Sequence, residues 1–346
     1  MTDPVPLLEV RDLEVSFYTQ SGTVRAVRGV NLQLDPGETL GIVGESGSGK
    51  SVTARSIIGL VDMPGKITGG DILWKGQSLL YGKGAASRAR KVRGKNISMV
   101  FQDPMTSFNP LMTIGAQINE VLKRHLGMNK SQATTRATEL LSLVGMSDPK
   151  RRFAQYPHEF SGGMRQRAMI AMALASEPDL LIADEPTTAL DVTIQAQILE
   201  LLADLQERLG LTTILITHDL AVVAGVCHRV RVMYAGRFVE KGNALELFGK
   251  PGHPYTVGLL KSTPRLDEIV PRLYAITGTT PDLRLPVVGC SFAPRCEISG
   301  DECKVTEPIL STERGKRAVA CYKPFVAERV IEQELEAEWE ALEEAQ

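Results

Sequence analysis

The chain has 346 residues, a formal net charge of −2 and a hydrophobic content of 43%. At roughly 150 residues per domain this length predicts about two domains, and the hydrophobic content suffices for a globular core. The near-neutral charge gives no electrostatic reason to expect a nucleic-acid partner. No stretch approaches the ~18 consecutive apolar residues of a transmembrane helix, and the first residues lack the basic and apolar regions of a secretion signal. We therefore expect a cytoplasmic protein.

Strands and helices alternate along most of the sequence. Apolar alternation predicts strands at 7–18 and 24–34, a hairpin at 69–80, a strand over NISMVFQDP, further strands at 179–186 and 212–219, and a hairpin at 229–242. Helical periodicity covers 113–176 and 191–209. This alternation predicts an α/β fold with a mostly parallel sheet covered on both faces.

The sequence pattern changes after about residue 252, where prolines recur and the periodicity of apolar residues weakens. We predict one domain over 1–252, with a helical subdomain at about 104–176 growing out of the sheet. A C-terminal extension would occupy 253–346 and carry four cysteines and an acidic helix near 325–345.

Residues 40–55, LGIVGESGSGKSVTAR, join an apolar strand, a glycine-rich turn and a helical pattern. They contain the G-x-x-x-x-G-K-[ST] phosphate-loop pattern. Its glycines would let successive backbone N–H groups surround a phosphate, and the following helix would direct its positive end at the same anion. Lys50 would add a charge for the outer phosphates and Ser51 a hydroxyl for Mg²⁺. The alternative interpretation is a chance glycine-rich turn.

Polar residues end three of the predicted strands. In LLIADEP, Asp184 suits second-sphere Mg²⁺ binding and Glu185 suits a general base that polarises the attacking water. Taken alone, such an acid pair is more often a helix cap or a surface pair, but its position after the phosphate loop favours the catalytic interpretation. His218 could sense a γ-phosphate or orient Glu185, although a structural histidine is the more frequent case. Gln102 could reach Mg²⁺ and the attacking water.

The segment FSGGMRQR, residues 160–167, predicts a helix that begins after the N-cap Ser161. The start of a helix is an anion site. Because Gly162 and Gly163 cost helix stability, close approach of a ligand to the backbone explains them better than capping alone.

The motifs GESGSGKS, VFQDP, FSGGMRQR, LLIADEP, ALD and ITHD occur in the order and spacing that resemble the ATP-binding-cassette (ABC) ATPases, over about residues 7–250. Phe160 and Met164 stand where Leu and Gln are commoner in that family. The resemblance implies a P-loop NTPase (RecA-like) parallel-sheet core with an antiparallel β subdomain, an α-helical signature subdomain and a small cysteine-containing C-terminal extension.

The resemblance also implies a role for each matching residue. Phe17 would stack on adenine, with Tyr18 as the alternative, and Gln102 would couple Mg²⁺ to the transporter. His218 would be the switch histidine, and Ala189, Leu190 and Asp191 the loop between subunits. ATP would be held by Gly44, Glu45, Ser46, Gly47, Ser48, Gly49, Lys50, Ser51 and Val52 of one cassette and covered by Ser161, Gly162 and Gly163 of another. Mg²⁺ would be held by Ser51, Gln102 and Asp184.

A narrower resemblance extends to about residue 325. HPYTVGLLKSTPR and PVVGCSFAPRC are similar to segments of the ATPases of dipeptide, oligopeptide and nickel importers. This implies an ATP-hydrolysing subunit that energises a di- or oligopeptide importer at the cytoplasmic face of the bacterial membrane. Its partners would be a second, different cassette in a head-to-tail dimer, two transmembrane permeases and, indirectly, an extracytoplasmic binding protein, with no nucleic acid. The alternatives are a nickel or other solute importer, a soluble ABC ATPase acting on DNA or ribosomes, and an inactive cassette serving as a binding module.

Four cysteines have the spacing C-x₅-C-x₆-C-x₁₇-C, at Cys290, Cys296, Cys303 and Cys321. In a cytoplasmic protein this favours metal ligation over disulfides. The spacing lacks the C-x₂-C pair common in zinc sites and suits a structural [4Fe–4S] cluster better. The cysteine pattern also resembles that of some importers of this group that carry such a cluster. Zinc and free thiols are the alternatives. Cys227, in an apolar segment, is predicted to belong to the core.

Overall fold

The computed structural model describes residues 5–188, 190–262, 274–311 and 316–331. The chain forms two compact units, each built from several segments. Unit 1 comprises Met1–Glu9, Leu34–Thr39 and Leu73–Thr217. Unit 2 comprises Val10–Gln33, Leu40–Ile72 and His218–Gln346.

The described strands and helices follow the predicted alternation. The strands are β1 (Leu8–Thr19), β2 (Gly22–Leu34), β3 (Thr39–Val43), β4 (Gly65–Trp74), β5 (Gln77–Ser78), β6 (Ile97–Val100), β7 (Leu180–Asp184), β8 (Thr212–Thr217), β9 (Arg229–Tyr234), β10 (Arg237–Asn243) and β11 (Ala318–Val319). The α-helices are α1 (Lys50–Ile57), α2 (Ala85–Val92), α3 (Pro104–Ser107), α4 (Ile114–Leu126), α5 (Lys130–Leu143), α6 (Pro149–Phe153), α7 (Gly162–Leu174), α8 (Val192–Leu209), α9 (Leu220–Val226), α10 (Ala244–Gly249) and α11 (Pro254–Lys261).

Unit 1 contains a parallel sheet in which β7 lies between β6 and β8. Every residue of β7 and β8 is buried, so neither strand shows the polar–apolar alternation of a half-exposed strand. Their register pairs Ile97 with Leu180 and Asp184 with Ile216. The carboxyl ends of the strands therefore deliver the residues that follow them to one edge of the sheet.

The helices of unit 1 between β6 and β7 form a bundle in which α4 packs against α5, α6 and α7. Buried apolar side chains on α4 and α5, including Ile118 and Leu140, recur at helical spacing. Side chains cap the helix starts: Thr113 for α4, and Asn129 with Gln132 as a capping box for α5. The predicted helical segment at 113–176 is confirmed; the short helix α6 lies within it, and α3 precedes it.

Unit 2 contains two strand arrangements. In the first, β1 lies between β2 and β4. In the second, β3 pairs in parallel with β9, β9 pairs antiparallel with β10, and β10 pairs antiparallel with β11. Because β11 comes from the C-terminal part of the chain and continues the edge of β10, unit 2 extends across residue 253. The predicted domain division at 252/253 stays a prediction.

The α/β prediction is confirmed, and the boundaries shift by a few residues. Among the described residues, no helix combines the length and apolar character needed to cross a bilayer. Cys227 is buried, as expected for a core residue, and burial raises the pKa of its thiol to about 12. Of the acidic helix predicted at 325–345, residues 327–331 are helical and 332–346 lie outside the described residues.

Candidate functional site

The phosphate-loop segment of unit 2 joins β3 to α1 through glycines with positive φ. Gly44 has a φ of +151° and Gly49 a φ of +107°. A Cβ on Gly44 would lie 2.2 Å from the carbonyl oxygen of Met233, and one on Gly49 would lie 2.6 Å from that of Ala26. Both backbone conformation and close packing therefore require glycine at these two positions.

Lys50 begins α1 and folds back over the loop. Its side chain is buried, and its Nζ donates to the carbonyl oxygens of Gly44, at 2.7 Å, and Glu45, at 2.9 Å. The first turn of α1 contains no acidic residue. An ammonium group and the N-terminus of a helix with no acidic residue in its first turn are donors that a phosphate requires, so these residues fit a nucleotide phosphate chain.

The acidic residue of the loop, Glu45, is held by two residues from the C-terminal part of unit 2. Its backbone N–H donates to the hydroxyl of Tyr255 at 2.7 Å. Its carboxylate receives two hydrogen bonds from Arg295, at 2.7 and 2.9 Å. Burial is the main cause that raises the pKa of the Tyr255 phenol, and the hydrogen bond with Glu45 is the main cause that raises the pKa of Arg295.

In unit 1, the carboxyl end of β7 brings together two of the predicted site residues. Asp184, the last residue of β7, is fully buried. The carboxylate oxygen Oε2 of Glu185 accepts hydrogen bonds from Nε2 of Gln102, at 2.8 Å, and from Oγ1 of Thr188, at 2.9 Å. Gln102 and Glu185, each predicted separately to act on the attacking water, therefore lie in direct contact. Thr188 is an additional partner, which the sequence reasoning missed.

Glu185 also has an unusual backbone conformation. Its φ is +47°, in the left-handed region that residues with a side chain rarely adopt. Its N–H donates to Ile216 of β8 at 2.9 Å, and its carbonyl oxygen accepts from Thr188 at 3.2 Å. Conformational strain of this kind, held in place by surrounding hydrogen bonds, is frequent at functional sites.

The predicted signature segment forms the start of α7. Ser161 is the N-cap, and its Oγ accepts from the N–H of Met164 at 3.4 Å. A Cβ on Gly163 would lie 2.7 Å from Cγ2 of Ile194 in α8, and one on Gly162 would lie 3.2 Å from Cδ2 of Leu190. Helix packing inside unit 1 is therefore sufficient reason for glycine at 163, in addition to the ligand approach that the sequence suggested. Ser161 and Gly162 are exposed.

The remaining predicted residues have these positions. Asp191 caps α8, its Oδ1 accepting from Ile194 N–H at 3.0 Å, while Ala189 lies outside the described residues. In unit 2, Phe17 is half-buried and adjoins Gly65, whereas Tyr18 is 50% exposed with the Lys66 ammonium 6.0 Å from its ring centroid. His218, the first residue of the last segment of unit 2, is exposed and follows β8 directly.

The four cysteines of the C-terminal region converge on one cavity in unit 2, which His253 and Phe292 also line. The cavity measures about 10 Å³, the space of about one water molecule. Burial raises the pKa of the Cys290 and Cys321 thiols and raises that of Cys296 to about 12. Within the described parts of the chain, no group of three or more His, Cys, Asp or Glu side chains is placed as metal ligands. The structure therefore gives the four cysteines a common cavity but no support for a metal or a [4Fe–4S] cluster.

Sequence reasoning missed three residues that hold the predicted site residues. Thr188 stands in DEPTTALD, close enough in sequence to Glu185 for a local contact to be anticipated. Tyr255 and Arg295 are 210 and 250 residues from Glu45. No local spacing could have connected them to the phosphate loop.

Comparison with known proteins identifies two regions of the chain. Residues 27–188 match the family model described as ABC transporter, and residues 239–303 match the model described as oligopeptide/dipeptide transporter, C-terminal region.

Curated relatives match most of the sequence. The oligopeptide transport ATP-binding protein OppD of Bacillus subtilis is 58% identical over 84% of this chain and 81% of its own length. The dipeptide transport ATP-binding protein DppD of the same organism is 53% identical over 91% of this chain and 94% of its own length. A probable peptide ABC transporter ATP-binding protein of Sinorhizobium fredii is 53% identical over 92% and 95%.

Solved structures resemble the chain as well. The cbiO1 protein of Clostridium perfringens, described as part of the ABC transporter complex cbiONQ, superposes with a TM-score of 0.59 at 29% identity, over 71% of this chain and 91% of its own. An ATP-binding cassette solved as a dimer in a post-hydrolysis state with ADP and Pi gives a TM-score of 0.60 at 29% identity, over 68% and 98%.

Proposed function

Since the chain belongs to the family of ATP-binding-cassette transporter ATPases, we propose that it energises a membrane importer of di- and oligopeptides. The chain is an ATP hydrolase of that family. The observation that carries the peptide assignment is that two family models match successive regions of the chain. Residues 27–188 match the ABC transporter model, and residues 239–303 match the C-terminal region of oligopeptide and dipeptide transporters. Relatives named for oligopeptide and dipeptide transport support the same substrate class.

We propose ATP and Mg²⁺ as cofactors, with the phosphates held by the loop Gly44–Ser51 and by Val52 at the start of α1. Mg²⁺, when bound, neutralises phosphate charge and orients the phosphates. Lys50 would exchange its contacts with two loop carbonyls for the phosphates. The Mg²⁺ ligands would be Ser51, Gln102 and Asp184, and Phe17 or Tyr18 would stack on adenine.

We propose Glu185 as the general base that takes the proton of the attacking water. The hydrogen bonds from Gln102 and Thr188 to one carboxylate oxygen would fix the orientation of the other. His218 would report the state of the phosphates. The exposed residues Ser161 and Gly162, together with Gly163 and Asp191, would cover ATP held by a second cassette.

The partners that we propose are a second, different ABC subunit in a head-to-tail dimer and two permeases. An extracytoplasmic binding protein would act indirectly. Closure around ATP would stabilise one state of this assembly over the other and so drive transport. The protein would then work at the cytoplasmic face of the cell membrane as a peripheral subunit.

Uptake of a labelled dipeptide and a labelled tetrapeptide by cells with and without this gene tests the proposal. Complementation with the unaltered chain should restore peptide uptake, and complementation with Lys50→Ala should not. Restored uptake of Ni²⁺ instead of peptides would favour the nickel-importer alternative. Normal uptake of both in the deleted strain would favour a soluble ABC ATPase.

A [4Fe–4S] cluster is a second candidate for the four cysteines, favoured by their convergence on one cavity and opposed by the lack of a ligand arrangement in the structure. Iron and acid-labile sulfide, measured on anaerobically purified protein, decide between a cluster and free thiols. About four irons and four sulfides per chain would establish the cluster. If neither iron nor sulfide is found, the four cysteines are free thiols.

A further inference from the structure

The phosphate loop carries a negative charge of its own, the carboxylate of Glu45. Its side chain is 28% exposed and accepts two parallel hydrogen bonds from the guanidinium of Arg295, Nη1 to Oε2 at 2.7 Å and Nη2 to Oε1 at 2.9 Å. This is the bidentate arrangement that gives arginine–carboxylate pairs both strength and fixed geometry.

Arg295 is fixed in place independently of that contact. Its side chain is 5% exposed, its Nε donates to the carbonyl oxygen of Thr277 at 2.9 Å, and the rings of Tyr234 and Phe292 lie 5.8 and 5.9 Å from the guanidinium carbon. A guanidinium enclosed in this way has a fixed position, and it therefore fixes the carboxylate that it binds.

The backbone of Glu45 is anchored from the same side. Its N–H donates to Tyr255, and the ring of Tyr255 packs 4.6 Å from that of Tyr234 and 5.5 Å from that of Phe292. Both anchors of the loop's acidic residue therefore come from one cluster of buried side chains in unit 2, formed by residues 234, 255, 292 and 295.

The charge of Glu45 matters because the loop is built for an anion. An uncompensated carboxylate in the loop would repel a bound phosphate chain, whereas an ion pair with Arg295 leaves the positive end of α1 and Lys50 as the net local charge. The 2.9 Å contact of Lys50 with the carbonyl oxygen of Glu45 shows how close this residue lies to the phosphate-binding ammonium.

We propose that Arg295 is a positioning residue for nucleotide binding, which neutralises Glu45 and holds its carboxylate turned away from the phosphates. This inference rests on the proposed function, because it requires the loop to bind ATP. It gives the C-terminal region a part in nucleotide affinity in addition to any part it has in the transporter.

The test measures the Kd of the full chain for MgATP and for AMP, in four forms: unaltered, Arg295→Gln, Glu45→Gln, and the double variant. Arg295→Gln should raise the Kd for ATP about tenfold, the order expected for one uncompensated charge near the phosphates, and should raise that for AMP less. Glu45→Gln should lower the Kd for ATP, because the arginine charge then acts on the phosphates. The double variant should return to within about threefold of the unaltered chain, since neither charge remains.

Two further variants separate charge from fold. Arg295→Lys keeps the charge and should retain most of the affinity for ATP. It replaces Arg295→Gln as the test if that variant fails to fold. Glu307→Gln is the matched control, because Glu307 also lies in the C-terminal region of unit 2 and forms ion pairs with earlier residues of that unit, Arg28 at 2.6 Å and Arg237 at 2.7 Å. It should lower thermal stability without changing the Kd for ATP.

Four results would overturn the inference. Glu45→Gln could weaken ATP binding as much as Arg295→Gln does, or the double variant could be as weak as Arg295→Gln alone. In either case the pair is a structural tie. Loss of ATP binding in Lys50→Ala with no effect of Arg295→Gln would defeat the inference and leave the proposed function standing. An unaltered chain that binds no ATP would defeat both.

Discussion

Replacement of Glu185 by glutamine isolates the chemistry of the carboxylate from its contacts. The two groups that donate to Oε2, Gln102 Nε2 and Thr188 Oγ1, can donate equally to an amide oxygen. The amide has nearly the same shape, so the left-handed backbone at this residue should persist. The change removes the negative charge of the carboxylate and with it the ability to accept a proton, while both contacts stay in place.

The expected loss follows from the usual contribution of a general base. Such a group accelerates its step by about 10²–10⁴-fold, or about 3–5 kcal/mol in the barrier. We expect kcat for ATP hydrolysis to fall in that range, with the Kd for ATP changed less than threefold. The rate is to be measured by phosphate release with the full chain co-expressed with its partner subunits, and the Kd by equilibrium binding.

The matched control is Glu139→Gln on α5. Glu139 is an exposed carboxylate of the same unit, paired with Arg136 at 3.1 Å, and such surface pairs contribute about 0–1 kcal/mol. Its kcat should stay within twofold of the unaltered value. An ATPase rate in Glu185→Gln equal to that of the control would remove Glu185 from the mechanism.

Three other predictions follow from particular contacts. Thr188→Val removes one of the two donors to Glu185 and should lower kcat about three- to tenfold with an unchanged Kd for ATP; equal kcat would show that Gln102 alone suffices. Gly163→Ala places a Cβ 2.7 Å from Ile194 Cγ2 and should lower the free energy of unfolding by about 1–3 kcal/mol, measured by thermal or urea unfolding. The control is Gly249→Ala, where a Cβ meets nothing within 4 Å and stability should not change. Equal melting temperatures of the two variants would contradict the packing explanation. Burial lowers the pKa of His253 from 6.5 to about 3. As the pH falls, the unfolded chain therefore binds a proton at this residue before the folded chain does. The free energy of unfolding that His253 contributes is fully present above pH 6.5 and is lost progressively as the pH falls toward 3. At pH 5 the loss should be about 2 kcal/mol, His253→Asn should reduce it while keeping a cap on α11, and an unchanged pH dependence in that variant would refute the assignment.

Local patterns in the sequence were sufficient for most secondary structure and for the site motifs. The phosphate loop, the capped start of α7 and the buried β7 each depend on residues within about ten positions of one another. Periodicity, glycine placement and capping are properties of short segments, so they can be recognised without knowing the fold. Five short helices, α2, α3, α6, α10 and α11, were not predicted, because four to eight residues hardly establish a helical period.

For the cysteines, sequence spacing alone leaves the choice among a cluster, zinc and free thiols open. Their separations favoured an iron–sulfur cluster, yet metal ligation depends on distances between thiols in space. The structure brings the four to one cavity without the ligand arrangement that a metal needs. The packing reason for Gly163 was likewise not visible in the local sequence, because its neighbour Ile194 belongs to another helix.

The sequence by itself therefore determined the family and most of the order of the elements, and it predicted the residues that would meet a nucleotide. Only the tertiary structure decided which side chains support them: Thr188 beneath Glu185, and Tyr255 and Arg295 around Glu45. The physical reason is that an ion pair or a packed ring needs proximity in space, and two residues 250 positions apart acquire it only when the chain between them has folded.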